Sequence, residues 1–382
     1  MLGIPNLFDA GVAKDPYPAY AALRRGPDVD RDPATGRWIV HRYREVRAVL
    51  RNPESFSSVN ASFEHTLLGA DGELHARVRR ALSGSFSPRG LETIQATIGP
   101  VVAEALDIMA NRGGGEVIGD LAAMLPLRVM GGMLGLPVSQ LAELAEWSDA
   151  IMTMGNPNVS RESRSTSAAR TDECCDALLR HFSTFSAALA PMAACAFDAD
   201  QSALTLQEVV DVGRLLVAAG TATTTNLIGS AVLRLVRHPD IALALRANPE
   251  LVPAFIEEVL RYDSPVQRTS RKAVHESRVA GRLIPEGADI LLLLGAANRD
   301  PEVFVEADMF QMSRQPNPHL GFGVGVHLCM GLWLARMEAI SAIQSLVGRF
   351  SRVEIVGSLD DVTFQTHPAV FGPSRLEIAV HV

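Results

Sequence analysis

The stretch from Leu206 to Arg237 constrains this chain most, because it reads as one unbroken helix. Thr205 followed three residues later by Glu208 has the spacing of a capping box, in which each side chain satisfies a free backbone donor at the helix start. His238 and Pro239 mark its end. At ~1.5 Å of rise per residue such a rod spans ~45 Å, enough to cross a whole domain. The apolar run within it, Val209 to Val236, is interrupted by Asp211, Arg214, several threonines and Arg234, which argues against a lipid-facing span. Most of the remaining sequence also has helical periodicity. Tyr17 to Arg24 and Tyr43 to Leu50 read as helices, the second stopped by Asn52 and Pro53, and Trp38 to His41, Ile290 to Leu294 and Leu376 to Val380 read as strands. The fold class is mostly α with small β-sheets.

The 382 residues are expected to form a single domain over 1–382. The polar stretches Asn156 to Ser167 and Asp198 to Ser202 read as surface loops within it, being too short and too weakly biased for linkers. A net charge of −8 argues against a general nucleic-acid or membrane-surface binder, both of which need excess positive charge. The four cysteines, Cys174, Cys175, Cys195 and Cys329, show no disulfide or zinc spacing, and the adjacent pair suits packing. Met1 to Lys14 lacks the basic-then-apolar pattern of a signal peptide, so a soluble cytoplasmic protein is expected.

Cys329 stands apart. An isolated cysteine is most often an inert, small, buried hydrophobe. Here it lies in the run Phe322, Gly323, Val324, Gly325, Val326, His327, Leu328, Cys329, Met330, Gly331, with aromatic, glycine and histidine residues at fixed offsets. The glycines permit conformations forbidden to other residues and a close approach to a flat group. Leu332 to Glu338 reads as a helix whose positive N-terminal end favours a thiolate at Cys329. Backbone amides aimed at a sulfur stabilise its charge as an iron ligand.

This run resembles the haem-binding loop of the cytochrome P450 monooxygenases. The resemblance implies haem b, iron protoporphyrin IX, held between the long distal helix and the proximal cysteine loop, with Cys329 on the metal and Phe322, Gly323, His327 and Gly331 framing it. It places Ala219 along the oxygen groove of the distal helix and gives Thr223 the position of the catalytic threonine. His75 and Arg79, one helical turn apart, and Arg271, six residues after Pro265, match the family's propionate donors, with His327 completing the set. Glu258 and Arg261 share one helix face and match a buried Glu-x-x-Arg pair that braces the haem-side core. Asn298 to Pro301 with Phe304 match a connector before the cysteine loop. Ser57 to Gly69 and Met152 to Leu204 fall where the family builds its substrate lid, and Ala369, Val370 and Phe371 match a pocket-lining turn.

One position departs from the pattern: the residue before the threonine is usually acidic, and here it is Ala222. Thr223 with water, Thr221 or a substrate carboxyl could take over proton delivery. Consecutive threonines within a helix also bond back to carbonyls a turn earlier and bend the axis, which predicts a distorted groove. The implied activity is hydroxylation, epoxidation or oxidative coupling of a small organic substrate, in natural-product biosynthesis. It uses O2 and electrons from NAD(P)H through ferredoxin reductase and ferredoxin, by a monomeric enzyme. Arg77, Arg80 and Arg336 offer a basic landing patch for the ferredoxin. Two alternatives stay open at the level of sequence: nitric oxide reduction, as in superfamily members that carry alanine before the threonine, and a noncatalytic haem-binding sensor.

Overall fold

The long helix begins and ends where its capping signals predict. Thr205 accepts the Glu208 N–H at 3.3 Å, and the Glu208 carboxylate accepts the Thr205 N–H at 2.8 Å. The structure, a computed structural model, describes residues 5–33, 35–59, 66–183 and 204–382. Within it the helices are α1 (Ala10–Lys14), α2 (Tyr17–Leu23), α3 (Tyr43–Leu50), α4 (Gly72–Ser83), α5 (Glu92–Arg112), α6 (Met124–Leu134) and α7 (Leu141–Met154). They continue as α8 (Arg161–Ser183), α9 (Leu206–Arg237), α10 (Pro239–Ala247), α11 (Val252–Tyr262), α12 (Leu294–Ala297) and α13 (Leu332–Arg349).

The long helix α9 runs through the middle of the helical layer, packed by α6, α7, α8, α11 and α13. By length and composition alone it could cross a membrane, but 67% of its most apolar window is buried inside the fold. Burying each Val, Leu or Ile of this helix stabilises it by about 1.5–3 kcal/mol, against about 1 kcal/mol for each helical glycine. The glycines themselves are spent on packing: a Cβ at Gly220 would collide with Met130, and one at Gly229 would lie 2.7 Å from Ile118. Gly220 therefore serves the contact between α9 and α6.

Five strands, β1 (Val29–Arg31), β2 (Trp38–Val40), β3 (Phe56–Ser57), β5 (Arg268–Ala273) and β8 (Asp289–Leu293), form a sheet in the order β1-β2-β8-β5-β3. Only β2 and β8 pair in parallel within it. A second sheet sets β12 (Glu377–His381) between β4 (Gly114–Glu116) and β9 (Arg352–Ile355). Two hairpin-sized pairs, β6 (Ser277–Val279) with β7 (Arg282–Ile284) and β10 (Thr363–Phe364) with β11 (Pro373–Arg375), complete the β structure. Each face of the five-stranded sheet carries its own apolar cluster, beside the main cluster around α9.

One sequence expectation needs correction. The polar stretch Asn156 to Ser167 is a loop only as far as Ser160; from Arg161 it is the first turns of α8. Ser160 accepts the Ser163 N–H at 3.0 Å, and Arg164 donates to the carbonyls of Met154 and Asn156, both at 2.9 Å. The buried stripe of this helix, Ser167, Cys174, Leu178 and Phe182, starts late, so its first turns look like a loop in composition. Cys174 is packed as expected and Cys175 is half-buried; Cys195 and the stretch Asp198 to Ser202 lie outside the described residues.

Candidate functional site

The cysteine loop owes its shape to two left-handed glycines, Gly323 at φ 68° and Gly325 at φ 87°. Gly325 is also pressed on the end of α3, where a Cβ would lie 2.6 Å from the Leu50 carbonyl oxygen. The loop is closed by the Cys329 N–H donating to the Phe322 carbonyl at 3.0 Å and the Leu328 N–H donating to Gly325 at 3.1 Å. From outside, Arg79 donates to the Leu328 carbonyl at 2.9 Å. Gly331 differs from its neighbours: its φ is −79°, it caps α13, and a Cβ there would meet nothing within 4 Å. Its glycine leaves open space beside the sulfur rather than supplying a left-handed turn. Cys329 is accessible to solvent yet hemmed in by protein, which places its sulfur in a recess. Burial pushes its thiol up, while the Gly331 N–H, Arg79 and Arg336 act in the opposite direction. Those groups are the ones that stabilise a thiolate once a cation displaces the proton.

A rim of histidine and arginine side chains lies beside this loop. His75 and Arg79 project from α4 one turn apart, and the His75 ring sits 4.2 Å from that of His327. Both ring nitrogens of His327 are engaged, Nδ1 with the Leu67 carbonyl at 3.2 Å and Nε2 with Asp71 at 2.9 Å. Asp71 also accepts from the Ser57 hydroxyl at 2.6 Å and the Ser58 N–H at 2.9 Å. Burial alone would raise the Asp71 carboxyl, but these hydrogen bonds outweigh it and hold it low. Asp71 thus joins β3, α4 and the cysteine loop, a role invisible in sequence because its partners lie 13 to 256 residues away.

Two members of the rim are incompletely satisfied. His75 is buried with no hydrogen-bond partner for Nε2, and burial, then His327 and Arg79, pull its pKa down to about 4. Arg271 on β5 is 7% exposed, and among the described residues its one hydrogen bond goes to the neighbouring Ser270 carbonyl at 2.7 Å. Burial pulls its pKa down to about 10, with only Asp71 acting against it. A buried guanidinium without a carboxylate partner is costly unless an anion completes it. The two propionates of a haem are such anions, and the donors left free beside Cys329 fit them.

On α9 three of the four threonines bond back as expected: Thr221 to Val217 at 2.7 Å, Thr223 to Ala219 at 2.8 Å and Thr225 to Thr221 at 3.0 Å. The predicted distortion takes no further form, for the helix stays α-helical through all of them. Thr221 is also tied to Ser148 of α7 by a buried hydroxyl pair at 2.5 Å. Thr223 is half-buried, its hydroxyl bonded among the described residues to Ala219 alone, and Ala222 beside it is half-buried.

Glu258 and Arg261 on α11 are fully buried and bidentate, at 2.8 and 2.7 Å. Arg261 also donates to the carbonyls of Asn298, Ala307 and Met309. Arg314, unnoticed in the sequence, is a third member, its Nε 3.2 Å from both Glu258 oxygens. Asn298 continues the brace by bonding Ser264 at 2.9 Å and accepting the Leu320 N–H at 2.6 Å, just before the cysteine loop. This explains why the connector and the Glu-x-x-Arg element occur together.

A cysteine recess flanked by anion-seeking donors and braced from behind is the architecture of a haem-thiolate protein. Comparison with known proteins agrees. The cytochrome P450 family model matches residues 179–376. The biotin biosynthesis cytochrome P450 of Bacillus subtilis (strain 168) is 33% identical, over 95% of each chain, and the cyclomarin C epoxidase CymV of Salinispora arenicola (strain CNS-205) is 32% identical, over 94% of each. The crystal structure of P450BioI in complex with hexadec-9Z-enoic acid ligated acyl carrier protein superposes with a TM-score of 0.90 at 30% identity, covering 97% of this chain and 99% of that one. This chain belongs to the cytochrome P450 family and is a P450 monooxygenase by family, with the haem-thiolate cofactor that membership implies.

Proposed function

We propose that this protein is a single-domain, cytoplasmic monooxygenase that binds haem b through Cys329 and oxidises a small organic molecule by hydroxylation, epoxidation or oxidative coupling. The observation that carries this is the pairing of an accessible Cys329 with unsatisfied His75 and Arg271 on the adjoining rim. When bound, the haem supplies the oxygen-activating chemistry. The chain supplies the rest. The Gly331 N–H, Arg79 and Arg336 stabilise charge on the Cys329 sulfur. His75, Arg79, Arg271 and His327 receive the propionates. Phe322 and Gly323 shape the loop, and Ala219 offers the carbonyl that fixes the Thr223 hydroxyl. With its hydrogen donated to Ala219, that hydroxyl presents its lone pairs and holds a water for proton transfer. Ala222 carries no proton, so this water and Thr223 take the place of an acid at that position.

Electrons are proposed to come from NAD(P)H through ferredoxin reductase and a ferredoxin. Of the three arginines in the sequence-based landing patch, Arg77 and Arg336 are spent on Glu208 and Glu257, leaving Arg80 exposed. A tailoring role in natural-product biosynthesis draws support from the cyclomarin C epoxidase among the relatives.

The test is the spectrum of the reduced, carbon monoxide-bound protein. A red-shifted Soret band that disappears in Cys329→Ala supports the reading, and absence of that band in the natural protein overturns it. Turnover with a surrogate redox chain then separates reactions: an O2-dependent product supports oxygenation, N2O formation the reductase, and neither a sensor.

A further inference from the structure

Glu257 and Glu258 are neighbours on α11, yet they answer different arginines. Glu258 is fully buried against Arg261 and Arg314. Glu257 turns instead to α13, where its two oxygens accept from Arg336 Nε at 2.6 Å and Nη2 at 2.8 Å. His319, three residues before Phe322, adds a second clasp. Its Nδ1 accepts the Gly321 N–H at 3.1 Å, so its other nitrogen carries the proton that it donates to Glu257 at 3.0 Å.

These contacts hold the Arg336 guanidinium against the loop that carries Cys329. It lies 4.6 Å from the centre of the Phe322 ring and 5.7 Å from that of Trp333. Phe322 is also the residue whose carbonyl accepts the Cys329 N–H at 3.0 Å. A two-point clasp and an aromatic face together fix a guanidinium in one place, which neither does alone.

Two arginines act on the Cys329 sulfur, Arg79 and Arg336. They differ in what answers them. Arg79 donates to the Leu328 carbonyl and is proposed to receive a propionate, whereas Arg336 is answered by a carboxylate of the protein itself. The ion pair is neutral as a whole, but its positive member is the one that lies against Phe322. Both side chains are half-buried, so water screens part of each charge and leaves an effect of moderate size.

We propose that Glu257 is a positioning residue for the haem-thiolate centre: by clasping Arg336 against Phe322 and balancing its charge, it sets the electron donation of the Cys329 sulfur and hence the reduction potential of the iron bound there. This rests on the monooxygenase reading, since it needs Cys329 on iron. A cation beside the sulfur draws electron density from it and favours the reduced state, which carries one more negative charge. A carboxylate paired with that cation offsets both effects.

The experiment is a spectroelectrochemical titration of the holoprotein, with the C–O stretch of its reduced carbonyl adduct as a second readout. Glu257→Gln leaves Arg336 unopposed and should raise both the midpoint potential and the C–O frequency, the reduction equilibrium shifting roughly tenfold, ~59 mV for one electron. Arg336→Gln leaves the carboxylate and should move both in the opposite direction by a similar amount. The double variant is neutral again and should return near the natural values, and Glu257→Asp, which keeps the charge, should stay near them. A pair that only holds the fold together would weaken haem retention in every one of the neutralising variants and move the potential in one direction or not at all; either result for the potential overturns the proposal. Should Arg336→Gln fail to keep haem, Glu257→Gln against Glu257→Asp carries the test, and equal potentials in the two overturn the proposal. A natural protein without the thiolate band overturns this proposal together with the monooxygenase reading, whereas an intact band with an unmoved potential sinks this proposal alone.

Discussion

Two buried arginines ten residues apart, Arg261 and Arg271, live in opposite surroundings. Arg261 donates to both oxygens of Glu258 and to three backbone carbonyls. Arg271, nearly as buried, donates to one carbonyl next to it in the chain. Desolvation costs both guanidinium groups alike, so the difference lies in who repays it. The protein itself satisfies Arg261, which makes that arginine part of the scaffold. Among the described residues Arg271 has no such partner, and His75 Nε2 on the same rim and Arg268 Nη2 further along β5 lack one as well. Pairing is complete in the brace and incomplete on the rim proposed to receive the propionates.

The largest expected effect tests the brace. Arg261→Ala leaves Glu258 with Arg314 as its one cationic partner among the described residues and uncovers the Asn298 and Ala307 carbonyls, so it should cost about 3–5 kcal/mol in denaturant melts, enough to prevent stable expression. Arg271→Gln should do the reverse. Its apoprotein should melt within about 1 kcal/mol of the natural one, because an uncompensated charge is removed, while haem transfer to an acceptor globin speeds roughly tenfold. Equal destabilisation by both substitutions would break the contrast.

A finer test uses a brace nearer the surface. Glu257 accepts from Arg336 at 2.6 and 2.8 Å and from His319 at 3.0 Å. Burial would raise its carboxyl, but these partners outweigh it and hold the pKa at about 2. An unfolded glutamate titrates near ~4.3, so the stabilisation is full above about pH 5 and fades as pH falls towards 2. Glu257→Gln should therefore lower stability modestly at pH 7 and flatten the acid limb of the stability–pH curve. An unchanged acid limb would mean that the pair contributes nothing to folding.

Local signals carried much of the architecture. The capping box, the terminal His-Pro and the apolar period together define α9 to the residue, because each acts over a few positions of backbone. Cys329, its glycines and the following helix were equally readable, since the loop closes on its own hydrogen bonds. The start of α8 was not, because its buried stripe is sparse and its first turns are polar on every side.

Charge was the property that tertiary structure decided. Arg77, Arg271 and Arg336 look alike in sequence, yet Arg77 is consumed by Glu208 at a separation of 131 residues, Arg336 by Glu257 at 79, and Arg271 by nothing of comparable strength. Asp71 and Arg314 gain their roles in the same way. Helices, caps and glycine turns follow from interactions within a few residues, so the sequence alone determined them. Whether a buried charge is already neutralised depends on which distant segments meet around it, and folding settles that.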